Sequence, residues 1–166
     1  MFLWYVGLSV LLVANVFKSV GLDYRLIALG AMLPLLVDIP VGHRAFGHTL
    51  AFAVLALVVV MVWPLRGSRL ARRRWLCLPI GIFAGLVLSG AWTDAHLFWW
   101  PLFGASFGDV SLLPVWWVVL LEEIVGLVAC WWVIGQFDLW VPAVRRDFWR
   151  TGRLKGSGGL GGGGLT

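Results

Sequence analysis

Most of the side chains able to do chemistry in this sequence crowd one short stretch. In LPLLVDIPVGHRAFGHTL, the residues Asp38, His43, Arg44 and His48 stand at a helix–turn–helix junction, with Pro40 and Gly42 making the turn. Carboxylate oxygen and imidazole nitrogen are natural ligands for zinc and similar divalent ions, and such an ion acidifies a bound water for hydrolysis. Asp38, His43 and His48 are therefore candidate metal ligands. The same residues also read as a polar interfacial loop, with Asp38 paired to Arg44 and Thr49 capping locally. A second signal is the pair of acids Glu122 and Glu123, set deep in a later apolar run. Ionisable groups in such runs face a cavity or a partner. Successive residues point about 100° apart around a helix, so one of the two can face the bundle. Glu122 is the candidate general base. Its structural alternative is a pair with Arg44 or a hydrogen bond to Trp92 or Thr93. Asp94 and His96, in a polar loop, are further ligand candidates or else solvated loop residues. The sequence holds no phosphate loop, nucleophile elbow, zincin helix or haem motif. Cys77 and Cys130 lie inside apolar runs without Cys or His neighbours and read as small hydrophobes.

The elements that position these groups follow from composition. Of the 166 residues, 61% are hydrophobic and 13% charged, where soluble domains carry about a quarter charged residues. The expected fold is all-α, a polytopic transmembrane helical bundle of about five spans. The apolar segments run over Met1–Phe17, Tyr24–Ile39, Phe46–Trp63, Trp75–Trp92 and Leu112–Ile134. The first lacks the basic start and cleavage site of a signal peptide. The second is short and carries Pro34, so it either spans or re-enters. Gly81, Gly85 and Gly90 in the fourth let another helix approach closely. Residues 1–140 form the helical domain, 141–155 a basic juxtamembrane segment suited to the membrane surface, and 156–166 a glycine-rich tail expected to be disordered.

Orientation follows from the basic residues. With five spans, twelve of the 13 Lys and Arg fall on one side and only Arg44 on the other. Positive charge marks the cytoplasmic side, so the amino terminus is expected outside and the carboxyl terminus inside a plasma (inner) membrane. With a re-entrant second segment the division is ten against three, and the amino terminus moves inside. Both arrangements put residues 38–44 and 93–111 on the outer side. The lipid bilayer and its anionic headgroups are the expected partners of the basic loops; the placement of the charges argues against nucleic acid.

LPLLVDIP and GHRAFGHTL together resemble the signature of the bacterial membrane-bound metal-dependent hydrolases, also called LexA-binding, inner-membrane-associated hydrolases. GLVLSGAWTDAHLFWWPLFG is similar to that family's later element and Trp-Trp-Pro loop. The resemblance covers about residues 1–155. It implies a membrane-embedded hydrolase with a divalent, zinc-like metal on Asp38, His43 and His48. The sequence departs from the pattern at Leu35, where an acid is expected, and at Gly85 and Ser89, where a His and an Asp are expected. Divalent binding is accordingly expected to be weak or absent unless Asp94, His96 or Glu122 completes the set. Two function classes result: a metal-dependent hydrolase acting on a lipid-like or envelope-derived substrate, and a non-catalytic membrane protein that has lost the site. A transporter is disfavoured by the absence of an internal repeat.

Overall fold

A computed structural model describes residues 1–17, 21–62, 69–104, 111–112 and 115–154. Among these the chain is all-helical. The helices are α1 (Phe2–Phe17), α2 (Tyr24–Asp38), α3 (Leu50–Val62), α4 (Arg69–Trp75), α5 (Cys77–Leu88), α6 (Ala95–Phe98), α7 (Trp116–Gln136) and α8 (Pro142–Thr151). Short 3-10 turns, Phe46–His48 and Ala91–Thr93, precede α3 and α6. Local chemistry sets several ends. The Asp23 carboxylate accepts from the Arg25 amide and caps α2. The Thr49 hydroxyl oxygen accepts from Phe52 N and caps α3. Pro142 opens α8, and Gly152, at φ 72°, closes it with a left-handed residue.

Small residues decide which helices touch. A Cβ on Gly30 would overlap the Leu78 carbonyl oxygen, one on Gly81 that of Ile27, and one on Gly85 that of Ala31. The backbones of α2 and α5 therefore lie in direct contact, the close approach that small residues at a helix interface permit. A second seam joins α1 to α7, where Gly7 meets the Gly126 carbonyl and Gly126 meets the backbone of Leu3 and Trp4. Around these seams sit three apolar clusters, centred on Val13, Ile27 and Cys77, on Tyr5, Ala31 and Leu35, and on Ala53, Ile82 and Leu86.

The outside is as apolar as the inside. Val54, Leu55, Val58, Val59 and Met61 of α3 are exposed, as are Leu120, Leu121, Ile124, Leu127 and Val128 of α7. Contiguous apolar surface on this scale marks a membrane or partner contact. Among the described residues α7 is long and apolar enough to cross a membrane; α1 and α3 are shorter apolar helices.

Polar contacts gather at the two ends. At one, Asp23 meets Arg25 and Arg74, and Tyr24 N donates to Gly152 O at 2.8 Å. At the other, Asp38 meets His48, the amino terminus meets Glu123, and the Trp4 indole donates to Leu88 O at 3.2 Å.

Several expected boundaries move. The third segment begins its α-helix at Leu50 rather than Phe46, because Phe46–His48 is a 3-10 turn shaped by Asp38. The fourth ends at Leu88, where Ser89 and the left-handed Gly90 stop it. Residues 69–74, read as loop before the fourth segment, are helical as part of α4, which runs through Leu76 into α5. The basic segment 141–155 contains α8 and then returns to the bundle, burying Leu154 beside Val13 and Tyr24. The 156–166 tail, Lys18, Trp63 and Arg66 lie outside the described residues.

Candidate functional site

Asp38 closes α2, and the chain turns back on it at once. Val41 N and Gly42 N both donate to the Asp38 carbonyl at 3.1 Å, and Gly42 takes φ 77°. That reversal carries residues 45–48 over the end of the helix. The Asp38 carboxylate then collects three donors: Ala45 N at 2.8 Å, Gly47 N at 2.8 Å and His48 Nδ1 at 2.7 Å. Asp38 and His48 are each 1% exposed. Gly47 is required for this approach, since a Cβ there would stand 2.5 Å from Pro34 O and 2.8 Å from Asp38 Oδ1. The hydrogen bond to Asp38 fixes the imidazole's orientation and places a proton on Nδ1, leaving Nε2 as the imidazole's acceptor when it is neutral.

The rest of the candidate set disperses around this pair. His43 forms a backbone bridge with Ser111, which joins the 38–48 loop to the segment preceding α7. Phe46 stacks edge-on against Phe52 at 5.5 Å and Trp100 at 5.9 Å, so residues 38–48 and the 93–100 region share one end of the molecule. Asp94 caps α6 by accepting from His96 N and Leu97 N. His96 Nδ1 lies 3.3 Å from Phe103 O. Trp92 Nε1 donates to Val87 O, and Thr93 Oγ1 donates to Gly90 O, so neither hydroxyl nor indole is directed to Glu122.

Glu122 and Glu123 part company, as adjacent helical residues must. Glu123 receives the amino terminus and Leu3 N. Glu122 feels the charges of the amino terminus and Arg44, and of Glu123 in opposition. Among the described residues, Arg44 Nε and Glu122 Oε2 are buried without a hydrogen-bond partner. Among the described residues Arg44 and Glu122 form no ion pair with one another, and Asp38 takes His48 in place of Arg44.

The three positions that depart from the family pattern are filled by packing. Leu35 is buried in the cluster with Tyr5 and Ala31. Gly85 lies against the Ala31 carbonyl, where an imidazole has no room. Ser89 Oγ donates to Leu86 O at 2.9 Å. Among the described residues no three His, Cys, Asp or Glu side chains converge as an ion cage. The donor set fits Asp38 to His48 and to the loop amides, not to a metal ion.

One polar group escaped the sequence reading. Asp23, 3% exposed, accepts from Arg25 Nε at 3.3 Å and Arg74 Nε at 2.7 Å. Burial opposes its charge, but hydrogen bonds from Arg25 and Arg74, reinforced by their charges, outweigh burial and hold its pKa below the usual carboxylate range. The available signal was an acid directly before an apolar helix, between Lys18 and Arg25. Compared with known proteins, the chain matches no family model, no curated protein and no solved structure.

Proposed function

We propose that this chain is a multi-pass membrane protein, related to the hydrolases it resembles, in which the Asp38 constellation builds the fold rather than a metal centre. The observation that carries the reading is the commitment of one buried carboxylate to Ala45 N, Gly47 N and His48 Nδ1. A ligand carboxylate directs a lone pair at the ion; here three donors of the loop that joins α2 to α3 already occupy most of the roughly four lone-pair sites. Glu122, the candidate base, shares its surroundings with Arg44 and the amino terminus.

The membrane part of the reading rests on the apolar exterior and on the two polar ends. α1, α2, α3, α5 and α7 are the five crossings. At about 1.5 Å per residue, α5 with Trp75 and Leu76 reaches roughly 20 Å, and the arginines of α4 extend it into the headgroup layer. The shorter helices are accommodated by local thinning and by flanking residues. Direct contact of Asp23 with Arg74, and of Tyr24 with Gly152, supports the five-span parity. It groups the loop before α2, the arginines of α4 and the carboxyl-terminal segment at one end, which the positive charge makes cytoplasmic.

The catalytic reading keeps one observation in its favour. Asp38 orients His48 through Nδ1, as a carboxylate orients a catalytic or metal-bound imidazole. Topology is tested by single cysteines in a variant lacking Cys77 and Cys130. An impermeant thiol reagent added from outside should label a cysteine at Ser106 and miss one at Ser68. The reverse pattern overturns the orientation, and recovery of the chain without membranes overturns the membrane assignment.

A further inference from the structure

Trp75 lines two cavities. One, of about 420 Å3, is lined by Asp23, Arg73, Arg74, Trp75, Thr151 and Arg153. The other, of about 520 Å3, is an apolar groove whose walls include Phe52, Leu55 and Val59 of α3 with Trp75 and Leu78. From Phe52 to Val60 that wall extends for roughly 12 Å at about 1.5 Å per residue. The basic cavity carries three guanidinium groups against one carboxylate. Arg74 is held by Asp23, which Arg25 also engages. Arg73 and Arg153 form no ion pair among the described residues. The Thr151 hydroxyl oxygen, which accepts from Arg153 N at 3.3 Å, brings a further polar group to the same wall.

We propose that these two cavities, one on each side of Trp75, together bind one acidic phospholipid at the cytoplasmic end. Its phosphate lies between Arg73 and Arg153, and one acyl chain lies in the α3–α5 groove past Trp75. Guanidinium forks match phosphate oxygens, and an indole at the junction of wet and apolar surfaces suits the headgroup boundary. The amphiphilic shape selects a lipid over a soluble anion: the groove offers almost no polar partner, and an inorganic phosphate would fill only the basic half. The inference rests on the membrane-embedded reading above.

The test uses the full chain reconstituted in nanodiscs of mixed phosphatidylglycerol and phosphatidylcholine, released into mild detergent, with retained lipid measured by native mass spectrometry. The parent should retain one phosphatidylglycerol. An Arg73→Gln/Arg153→Gln variant should lose retention roughly 30-fold, at about fivefold for each basic residue near an anionic surface. An Ala56→Trp variant, which fills the groove, should lose retention as well. Arg145→Gln/Arg146→Gln removes equal charge from the exposed face of α8 and should match the parent. Equal losses in the two arginine pairs would overturn the site. Inorganic phosphate displacing the retained lipid, with Ala56→Trp unchanged, would overturn the lipid in favour of a free anion. A chain that does not enter nanodiscs would instead overturn the membrane reading, so the two failures are distinguishable.

Discussion

Replacing Asp38 with Ala removes the acceptor of three buried hydrogen bonds at once. Ala45 N, Gly47 N and His48 Nδ1 are then left facing an apolar gap at the end of α2. A buried donor stripped of its acceptor costs about 1–3 kcal/mol. The three share one side chain and relax together, so the expected loss is about 3–6 kcal/mol rather than the largest sum. A chain of this size shifts its melting point by roughly 2–4 °C per kcal/mol, so the expected drop lies between about 6 and 24 °C. Cys77 is fully buried and Cys130 only partly so, and in a Cys130→Ser background a thiol-reactive dye therefore reports unfolding in detergent through Cys77. Asp38→Asn should lie between parent and Asp38→Ala, since its amide oxygen keeps one acceptor. An Asp38→Ala protein that melts within a degree or two of the parent would refute the claim that this carboxylate organises the loop.

Gly85→His, which introduces the imidazole that the resemblance led one to expect there, should destabilise the chain rather than create a ligand, because the added Cβ meets the Ala31 carbonyl; size-exclusion of the detergent-solubilised variant should show loss of the monodisperse peak. Asp23 has a lowered pKa, so its stabilisation is fully present above the ordinary aspartate value of about 3.9 and is lost as pH falls through the lower folded-state value. Thermal unfolding followed through that acid range should show a steeper loss for the parent than for Asp23→Asn, and equal slopes would remove Asp23 from the acid response.

The sequence reading reached the helices more readily than their caps and contacts. α2 begins at Tyr24 as the apolar run does and ends one residue before the expected Ile39, because the hydrophobic boundary and the helix boundary nearly coincide there. α8 was hidden, since a basic, aromatic stretch without a long apolar run reads as surface segment; only its docking on Tyr24 and Val13 reveals it. Gly81 and Gly85 were legible as a close-approach face, but the partner helix was not, because any small residue opposite would serve. Asp38 with His48 was legible as a polar cluster. Which donors the carboxylate takes was not, because that depends on the Gly42 turn and on the absence of a Cβ at Gly47. His43 shared the spacing of a ligand, but among the described residues it joins no group of three His, Cys, Asp or Glu side chains. Spacing along a loop constrains reach, while direction is set by the turn.

The central claim is that Asp38 and His48 serve the fold. Its most direct test is zinc titration of the purified chain in mild detergent beside a His48→Ala variant, following bound metal and melting point together. The account expects no stoichiometric zinc on the parent and the same small, non-specific response in both proteins. One tightly bound zinc per chain that raises the parent's melting point and disappears in His48→Ala would contradict it.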